Sequence, residues 1–130
     1  MTAAGIDIGG ANLKGVREDW LVATRAFALW REPGGLAAAL RELLAALEPF
    51  DRLAVTMTGE LCDCFETKAE GVRHCLDSVV RSSKHRGTQQ ILVWSTKGKF
   101  LSLASALRDP LLVAAANWLA RMYHSKDGPP

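Results

Sequence analysis

The most constraining feature of the sequence is an amphipathic helix predicted between short apolar runs that are typical of buried strands. Leucines recur at helical spacing over Leu36–Leu47, after Pro33-Gly34-Gly35 and before Pro49, where the run ends. A buried strand is expected next, at residues 53–57. A helix that connects two strands in this way forms a crossover, and the strands it joins lie parallel. The sequence therefore predicts an α/β protein.

Three apolar segments precede the helix and predict an antiparallel meander. Residues 4–8 form a short run that Gly9-Gly10 closes, and residues 13–17 and 20–30 are rich in branched and aromatic side chains. Parallel neighbours would need longer connections than these short turns. We therefore expect three successive antiparallel strands, with the strand after the helix parallel to the first.

The second half of the chain predicts two further helices and a hairpin. Thr67-x-x-Glu70 matches a capping box, so a helix is expected to about Ser82, with a polar loop over residues 81–90. Residues 91–94 and 100–103 flank a glycine-containing turn and predict a hairpin. Asp109-Pro110 has the residue types that begin a helix, which predicts a last helix over residues 111–122.

Composition limits the class of protein. The 130 residues correspond to about one domain, and 48% hydrophobic with 23% charged residues is typical of a folded soluble domain. A net charge of +2 without a long basic run does not indicate a nucleic-acid or membrane partner. No apolar stretch is long enough to cross a bilayer, and no signal-peptide pattern is present. We expect a cytoplasmic protein with Cys62, Cys64 and Cys75 as free thiols.

The turn after the first predicted strand carries the residue types of a phosphate site. Asp7 stands at the strand end, Gly9 and Gly10 form the turn, and Asn12 and Lys14 follow on the outgoing strand. Glycines let backbone N–H groups approach a phosphate, a lysine supplies charge, and an aspartate can hold Mg²⁺ or a water. The alternative is a plain hairpin turn beside a solvated acid. The pattern is neither a Rossmann motif nor a P-loop.

Residues 5–15 resemble the first phosphate motif of the actin, sugar-kinase and heat-shock chaperone superfamily, although Ala11 stands where most sugar kinases carry threonine. The longer phrase at residues 57–72 is more specific. It resembles members of the hydantoinase and oxoprolinase group that are linked to tetrahydromethanopterin-dependent one-carbon transfer. Residues 114–118 are similar to the same family, so the resemblance covers nearly the whole chain.

The resemblance implies a ribonuclease H-like fold of the actin-like ATPase type. Residues 1–124 would form its N-terminal half, with a mixed sheet and flanking helices, and residues 125–130 a disordered tail. Family members are much longer, and their second phosphate motif would follow Pro130. We therefore expect one wall of a ligand cleft that is inactive alone. It would form a homo-oligomer or bind a partner chain that supplies the missing half.

The activity that the resemblance implies belongs to methanofuran assembly. Such an enzyme joins an aminomethylfuran diphosphate to a γ-glutamyltyramine amine with loss of diphosphate, for which Mg²⁺ is an expected cofactor and the phosphorylated compound the expected small-molecule partner. Two alternatives are an ATP-dependent sugar or small-molecule kinase, and a non-catalytic interaction subunit that retains half of the fold. Of these alternatives, only the kinase would use ATP.

Motif and resemblance together give the candidate site residues. The expected catalytic residues are Asp7, Lys14, Glu66 and Lys68, with Asp7 also the candidate Mg²⁺ ligand. The expected phosphate-binding residues are Gly9, Gly10, Ala11 and Asn12, and the expected substrate contacts are Glu60 and Asn117. The alternative for the acidic and basic residues near position 60 is a solvated loop that enters a capped helix. For the amide it is a hydrogen bond to a neighbouring backbone carbonyl.

Overall fold

The computed structural model describes residues 2–84 and 90–114, and in this part a six-stranded mixed sheet lies at the centre. The strands are β1 Ala3–Ile8, β2 Asn12–Arg17, β3 Val22–Ala26, β4 Arg52–Met57, β5 Gln90–Trp94 and β6 Phe100–Ser102. The helices are α1 Leu36–Leu47, α2 Lys68–Ser83 and α3 Leu103–Arg108, with short 3-10 turns at Pro33–Gly35, Gly59–Leu61 and Pro110–Leu112.

The strand order β3-β2-β1-β4-β5-β6 confirms the predicted mixed α/β sheet. β1, β2 and β3 pair antiparallel, which is the expected N-terminal meander. β1 pairs parallel with β4, as the predicted crossover requires, and β4 also pairs parallel with β5. β5 and β6 form the predicted hairpin, whose turn contains Gly98 at a positive φ of 73°. The third strand is shorter than expected, because Trp20 lies in the turn before β3 with a φ of 70°.

The hydrophobic core lies on one side of the sheet. Both crossovers, β1 to β4 and β4 to β5, step in the same direction across the sheet, so right-handed connections place α1 and α2 on the same face. Burial alternates along β1 and β4, which shows that every second side chain points into this core. The best-buried core side chains include Ile8, Leu13, Leu40, Leu44, Leu53, Val55 and Leu76.

The opposite side of the sheet, called the open face below, carries Gly5, Asp7, Lys14, Ala54 and Thr56. These residues alternate with the core residues of β1, β2 and β4, and they are exposed or half-buried. Further hydrophobic residues on this face keep large exposed fractions, such as 63% for Val22 and 48% for Phe100.

Helix α2 begins as the capping box predicts. The Thr67 hydroxyl oxygen accepts a hydrogen bond from the Glu70 backbone N–H at 3.1 Å. The helix ends at Ser83, and β5 starts at Gln90, so the predicted loop over residues 81–90 is too long at both ends. Residues 85–89 lie outside the described part of the chain.

The prediction for the C-terminal segment is wrong where the structure describes it. A helix that the sequence reading missed, α3, follows β6 directly, and Ser102 caps it by accepting from the Ser105 N–H at 3.2 Å. Asp109 makes no side-chain cap, and Pro110 opens only a 3-10 turn. The rest of the predicted helix, including Trp118 and Met122, and the predicted tail lie outside the described residues.

The described residues 2–84 and 90–114 contain no helix that is long and apolar enough to cross a membrane. The three cysteines are free thiols, as predicted. Cys75 lies in the core with 0% exposure, and burial raises the pKa of its thiol, whereas Cys62 and Cys64 are half-buried.

We expect Cys75 to resist alkylation in the native protein, because a buried neutral thiol is a poor nucleophile. Iodoacetamide at neutral pH should label Cys64 before Cys75, and all three thiols should react once guanidinium unfolds the chain. Mass spectrometry of the digested protein measures the labelling at each site. Equal native labelling of Cys75 and Cys64 would contradict the core position of Cys75.

Candidate functional site

The candidate site lies where the carboxyl ends of β1 and β4 meet. The chain leaves β1 towards β2 and returns on the other side as β4, so the strand order reverses between these two neighbours. In open α/β sheets, ligands bind outside the carboxyl ends of the strands at such a point. The glycine turn after β1 forms one wall. The segment after β4 forms the other, and its Thr58 N–H donates to the Ile8 carbonyl at 2.9 Å.

The glycine turn is a tight and well-bonded loop. The Gly9 N–H donates to the Asn12 carbonyl at 3.0 Å, and the carbonyls of Gly10 and Ala11 accept from the backbone that follows β3. A Cβ on Gly9 would lie 3.0 Å from the Asn12 carbonyl oxygen, so a side chain would crowd the backbone where the chain reverses. Within the described residues, the N–H groups of Gly10 and Ala11 donate to no acceptor. Two neighbouring donors are therefore available to an anion.

Asp7 and Lys14 meet on the open face of the sheet. They are register partners on antiparallel β1 and β2, so their Cβ atoms are about 5 Å apart. Asp7 is half-buried and Lys14 is exposed. Asn12 lies two residues before Lys14 on the same strand and is also exposed. The paired strands β1 and β2 thus place one carboxylate and one ammonium group beside the glycine turn.

Glu60 is enclosed by protein rather than by solvent. It belongs to the 3-10 turn after β4 and is only 2% exposed, so the solvated-loop interpretation is wrong for this residue. The reason is a close approach of α2: a Cβ on Gly71 would lie 2.7 Å from the Glu60 Cα. Because glycine permits this contact, the backbone of Glu60 is packed against the helix.

Glu66 and Lys68 occupy the surface at the start of α2. Both are exposed, on either side of the capping residue Thr67. Within residues 2–84 and 90–114, no hydrogen bond or ion pair connects either side chain to the glycine turn. Asn117 lies outside the described residues. The structure therefore brings Asp7, Lys14, the glycine turn and Glu60 to one end of the sheet and leaves the roles of the others as predictions.

Cys62 is a neighbour of the site that the sequence reading assigned no role. A Cβ on Gly10 would lie 3.0 Å from the Cys62 sulfur, so this thiol packs directly against the turn. Burial raises the pKa of the Cys62 thiol, which keeps it protonated. The Cys64 thiol donates to the Leu29 carbonyl at 3.7 Å. The Cys62 thiol therefore supports the turn as a packing group. Among the described residues, no three His, Cys, Asp or Glu side chains gather as a metal site.

A groove of about 500 Å³ crosses the open face beside the Asp7–Lys14 pair. Its walls include Trp94 and Phe100, whose rings are 5.0 Å apart at 69° in an edge-to-face contact. Neither ring is among the site residues expected from the sequence. The position of Trp94 on the open face could have been predicted from the alternation of side chains along β5, which places Trp94 on the face opposite the buried Val93.

A comparison with curated proteins finds a relative of this chain. No protein-family model matches the chain. The chain is 33% identical over 119 residues to (4-{4-[2-(gamma-L-glutamylamino)ethyl]phenoxymethyl}furan-2-yl)methanamine synthase of Methanocaldococcus jannaschii. The match covers 89% of this chain and 34% of the relative. The chain therefore spans about a third of the length of that protein.

Among solved structures, the chain is similar to T. thermophilus RuvC in complex with a Holliday junction substrate. The TM-score is 0.48 at 18% sequence identity, covering 94% of this chain and 96% of RuvC.

Proposed function

We propose that the chain is the phosphate-binding part of a synthase that releases diphosphate, in the assembly of methanofuran. The observation that carries the proposal is the Asp7–Lys14 pair next to the two available N–H groups of Gly10 and Ala11. A departing diphosphate needs positive charge and backbone donors aimed at its oxygens. The 33% identity to the Methanocaldococcus jannaschii synthase supports the same activity. The meander and the crossover also agree with a ribonuclease H-like fold of the actin-like, hydantoinase and oxoprolinase type.

The name of the relative also indicates which atom accepts the furan group. It describes a phenoxymethyl link, so the bond to be formed joins a phenol oxygen to a methylene carbon of the furan. In the proposed reaction this bond forms while the bond from the same carbon to the diphosphate oxygen breaks. The electron pair leaves with diphosphate, and the phenol proton passes to a base. In the proposed reaction the acceptor atom is thus the phenol oxygen of γ-glutamyltyramine, in place of the amine that the resemblance implied, and the nitrogen atoms of that molecule stay outside the reaction.

In this proposal, Lys14 and the turn N–H groups take up the negative charge that develops on the leaving group. Asp7 is the residue that would hold Mg²⁺. A single carboxylate fits that ion, because Mg²⁺ at phosphate sites commonly takes one or two carboxylates together with substrate oxygens and water. Bound Mg²⁺ would neutralise charge on the diphosphate oxygens. Glu60, Glu66, Lys68 and Asn117 keep their predicted roles in substrate contact and catalysis.

The remaining wall of the cleft is assigned to polypeptide beyond the matched region. The match spans 34% of the relative, so most of that protein has no counterpart in the comparison. The proposal therefore includes binding of phosphate by the chain alone without turnover. A cytoplasmic location, which keeps thiols reduced, belongs to the same proposal.

The proposal predicts that diphosphate with Mg²⁺ raises the melting temperature of the chain. At a ligand concentration about 100 times the Kd, binding contributes about 2.7 kcal/mol of stability. Differential scanning fluorimetry measures the shift, and Lys14→Ala should abolish it. Lys84→Ala is the matched control, because Lys84 is an exposed lysine at the end of α2, which carries the chain from the carboxyl end of β4 back to the opposite end of the sheet. Stabilisation by ATP but not by diphosphate would contradict the proposal and favour the kinase.

We also expect the isolated chain to be at least a dimer. The open face leaves apolar side chains in water, and within residues 2–84 and 90–114 β3 is an edge strand that pairs on one side only. Analytical ultracentrifugation at micromolar concentration measures the mass. A clean monomer that binds little hydrophobic dye would contradict this expectation, and a stable complex with a second chain would favour the interaction-subunit alternative.

A further inference from the structure

The open-face groove is built from one transverse row of side chains. Register pairs Thr24 with Lys14, Lys14 with Asp7, and Asp7 with Thr56. The β4–β5 register, continued by one residue from Val55 and Val93, brings Thr56 beside Trp94, which pairs with Phe100. The row therefore has an ionic half on β1 and β2 and an aromatic half on β5 and β6.

The groove is concave because small residues occupy its middle. In the neighbouring row, Gly5 on β1 pairs with Ala54 on β4, and larger side chains, Val16 and Leu92, lie on either side of them. Gly5 has no side chain and Ala54 has a side chain of one atom, so space remains above the two central strands. The larger side chains on either side form the walls of this space. A volume of about 500 Å³ lies within the range of about 300–1,000 Å³ that is usual for small-molecule sites.

Distances across the row fit a single aromatic ring. Adjacent strands are about 4.8 Å apart, so Asp7 and Trp94 are separated by about 10 Å, with β4 between them. A ring above Ala54 and Thr56 would contact the indole of Trp94 on one side. An oxygen on the opposite edge of that ring would then face Asp7 and Lys14. The apolar lining suits the ring, and the charged pair suits the oxygen.

We propose that the open-face groove binds the phenol ring of the acceptor substrate, with Trp94 and Phe100 against the ring and its oxygen directed towards Asp7 and Lys14. This inference rests on the proposed function, which requires a phenol and a diphosphate at neighbouring positions. The geometry meets that requirement, because Asp7 lines the groove and lies two residues before Gly9 in the glycine turn. The Asp7–Lys14 pair would thus lie between the phenol ring in the groove and the diphosphate at the glycine turn, and could contact both.

The test is the affinity of the chain for γ-glutamyltyramine and for 4-ethylphenol, measured by isothermal titration calorimetry. Trp94→Leu removes the ring contact, and Ala54→Leu fills the floor of the groove from the open face without a change in the core. Each should weaken binding at least ~10-fold, as loss of an aromatic contact or of the space for the ring implies. Trp30→Leu is the matched control, because Trp30 is 57% exposed and does not line the groove.

The outcomes separate this inference from the proposed function. If diphosphate stabilises the chain but neither phenol binds, or if both groove variants bind as wild type does, the groove assignment is overturned and the proposed function stands. If the phenols bind and both variants weaken them while diphosphate has no effect, the groove assignment holds and the diphosphate site fails. If Ala54→Leu turns a dimer into a monomer and wild type binds no phenol, a second copy occupies the face and the inference is overturned.

Discussion

Replacing Lys14 with alanine should lower kcat by at least ~10²-fold in a form of the enzyme that turns over substrate, because the departing diphosphate would lose its nearest ammonium group. Asp7→Ala should have an effect of similar size. Both side chains lie on the open face, away from the core packing, so the fold should survive either change. Steady-state kinetics at saturating substrate measure the loss, and circular dichroism checks the fold.

Two further variants make this result specific. Lys14→Arg keeps the charge and should restore part of the activity, whereas Lys84→Ala removes an exposed lysine at the opposite end of the sheet and should leave kcat unchanged. If Asp7→Ala and Lys14→Ala both turn over substrate at the wild-type rate, the glycine turn is only a hairpin and the phosphate assignment is wrong.

Gly71→Ala should destabilise the chain by about 1–3 kcal/mol, the usual cost of overpacking a close contact. The added Cβ would lie 2.7 Å from the Cα and 2.9 Å from the carbonyl oxygen of Glu60, so backbone rather than a flexible side chain has to move. This cost opposes the gain of up to about 1 kcal/mol that alanine ordinarily brings to a helix. Urea unfolding measures the free energy of unfolding of both proteins.

Gly34→Ala is the control for that comparison. A Cβ at Gly34 would meet nothing within 4 Å, so the same chemical change should leave stability unchanged or raise it slightly. If Gly71→Ala proves as stable as Gly34→Ala, then α2 does not approach the turn after β4 as closely as described. The burial of Glu60 would then need another explanation.

The features that sequence alone could predict are those with local signals. Helix α1 is framed by Pro33-Gly34-Gly35 and Pro49, and α2 begins at a capping hydroxyl three residues before Glu70. The meander followed from the shortness of its turns. The meeting of Asp7 and Lys14 could be expected as well, because a tight turn between two antiparallel strands forces the residues near it into register.

The features that escaped prediction depend on long-range contacts or on competing local signals. Ser102 caps α3, but the apolar residues before it continue the pattern of a strand, and Asp109-Pro110 is a stronger helix-start signal than the one that is used. The burial of Glu60 depends on Gly71, which lies on a helix that packs back against it. The groove depends on Gly5, Ala54 and Trp94, residues of three strands that become neighbours only when the sheet assembles.

The order of the strands also ranks the parts of the site by their resistance to local opening. Sheets fray from their edges, and here the aromatic half of the row lies on β6, an edge strand of three residues, and on its neighbour β5. Asp7 lies on β1, which is hydrogen-bonded on both sides. Hydrogen exchange should therefore be fast around Phe100 and slow around Asp7. A molecule in which β5 and β6 have opened would lose the contacts of Trp94 and Phe100 with the phenol ring, while Asp7 and Lys14 stay in place.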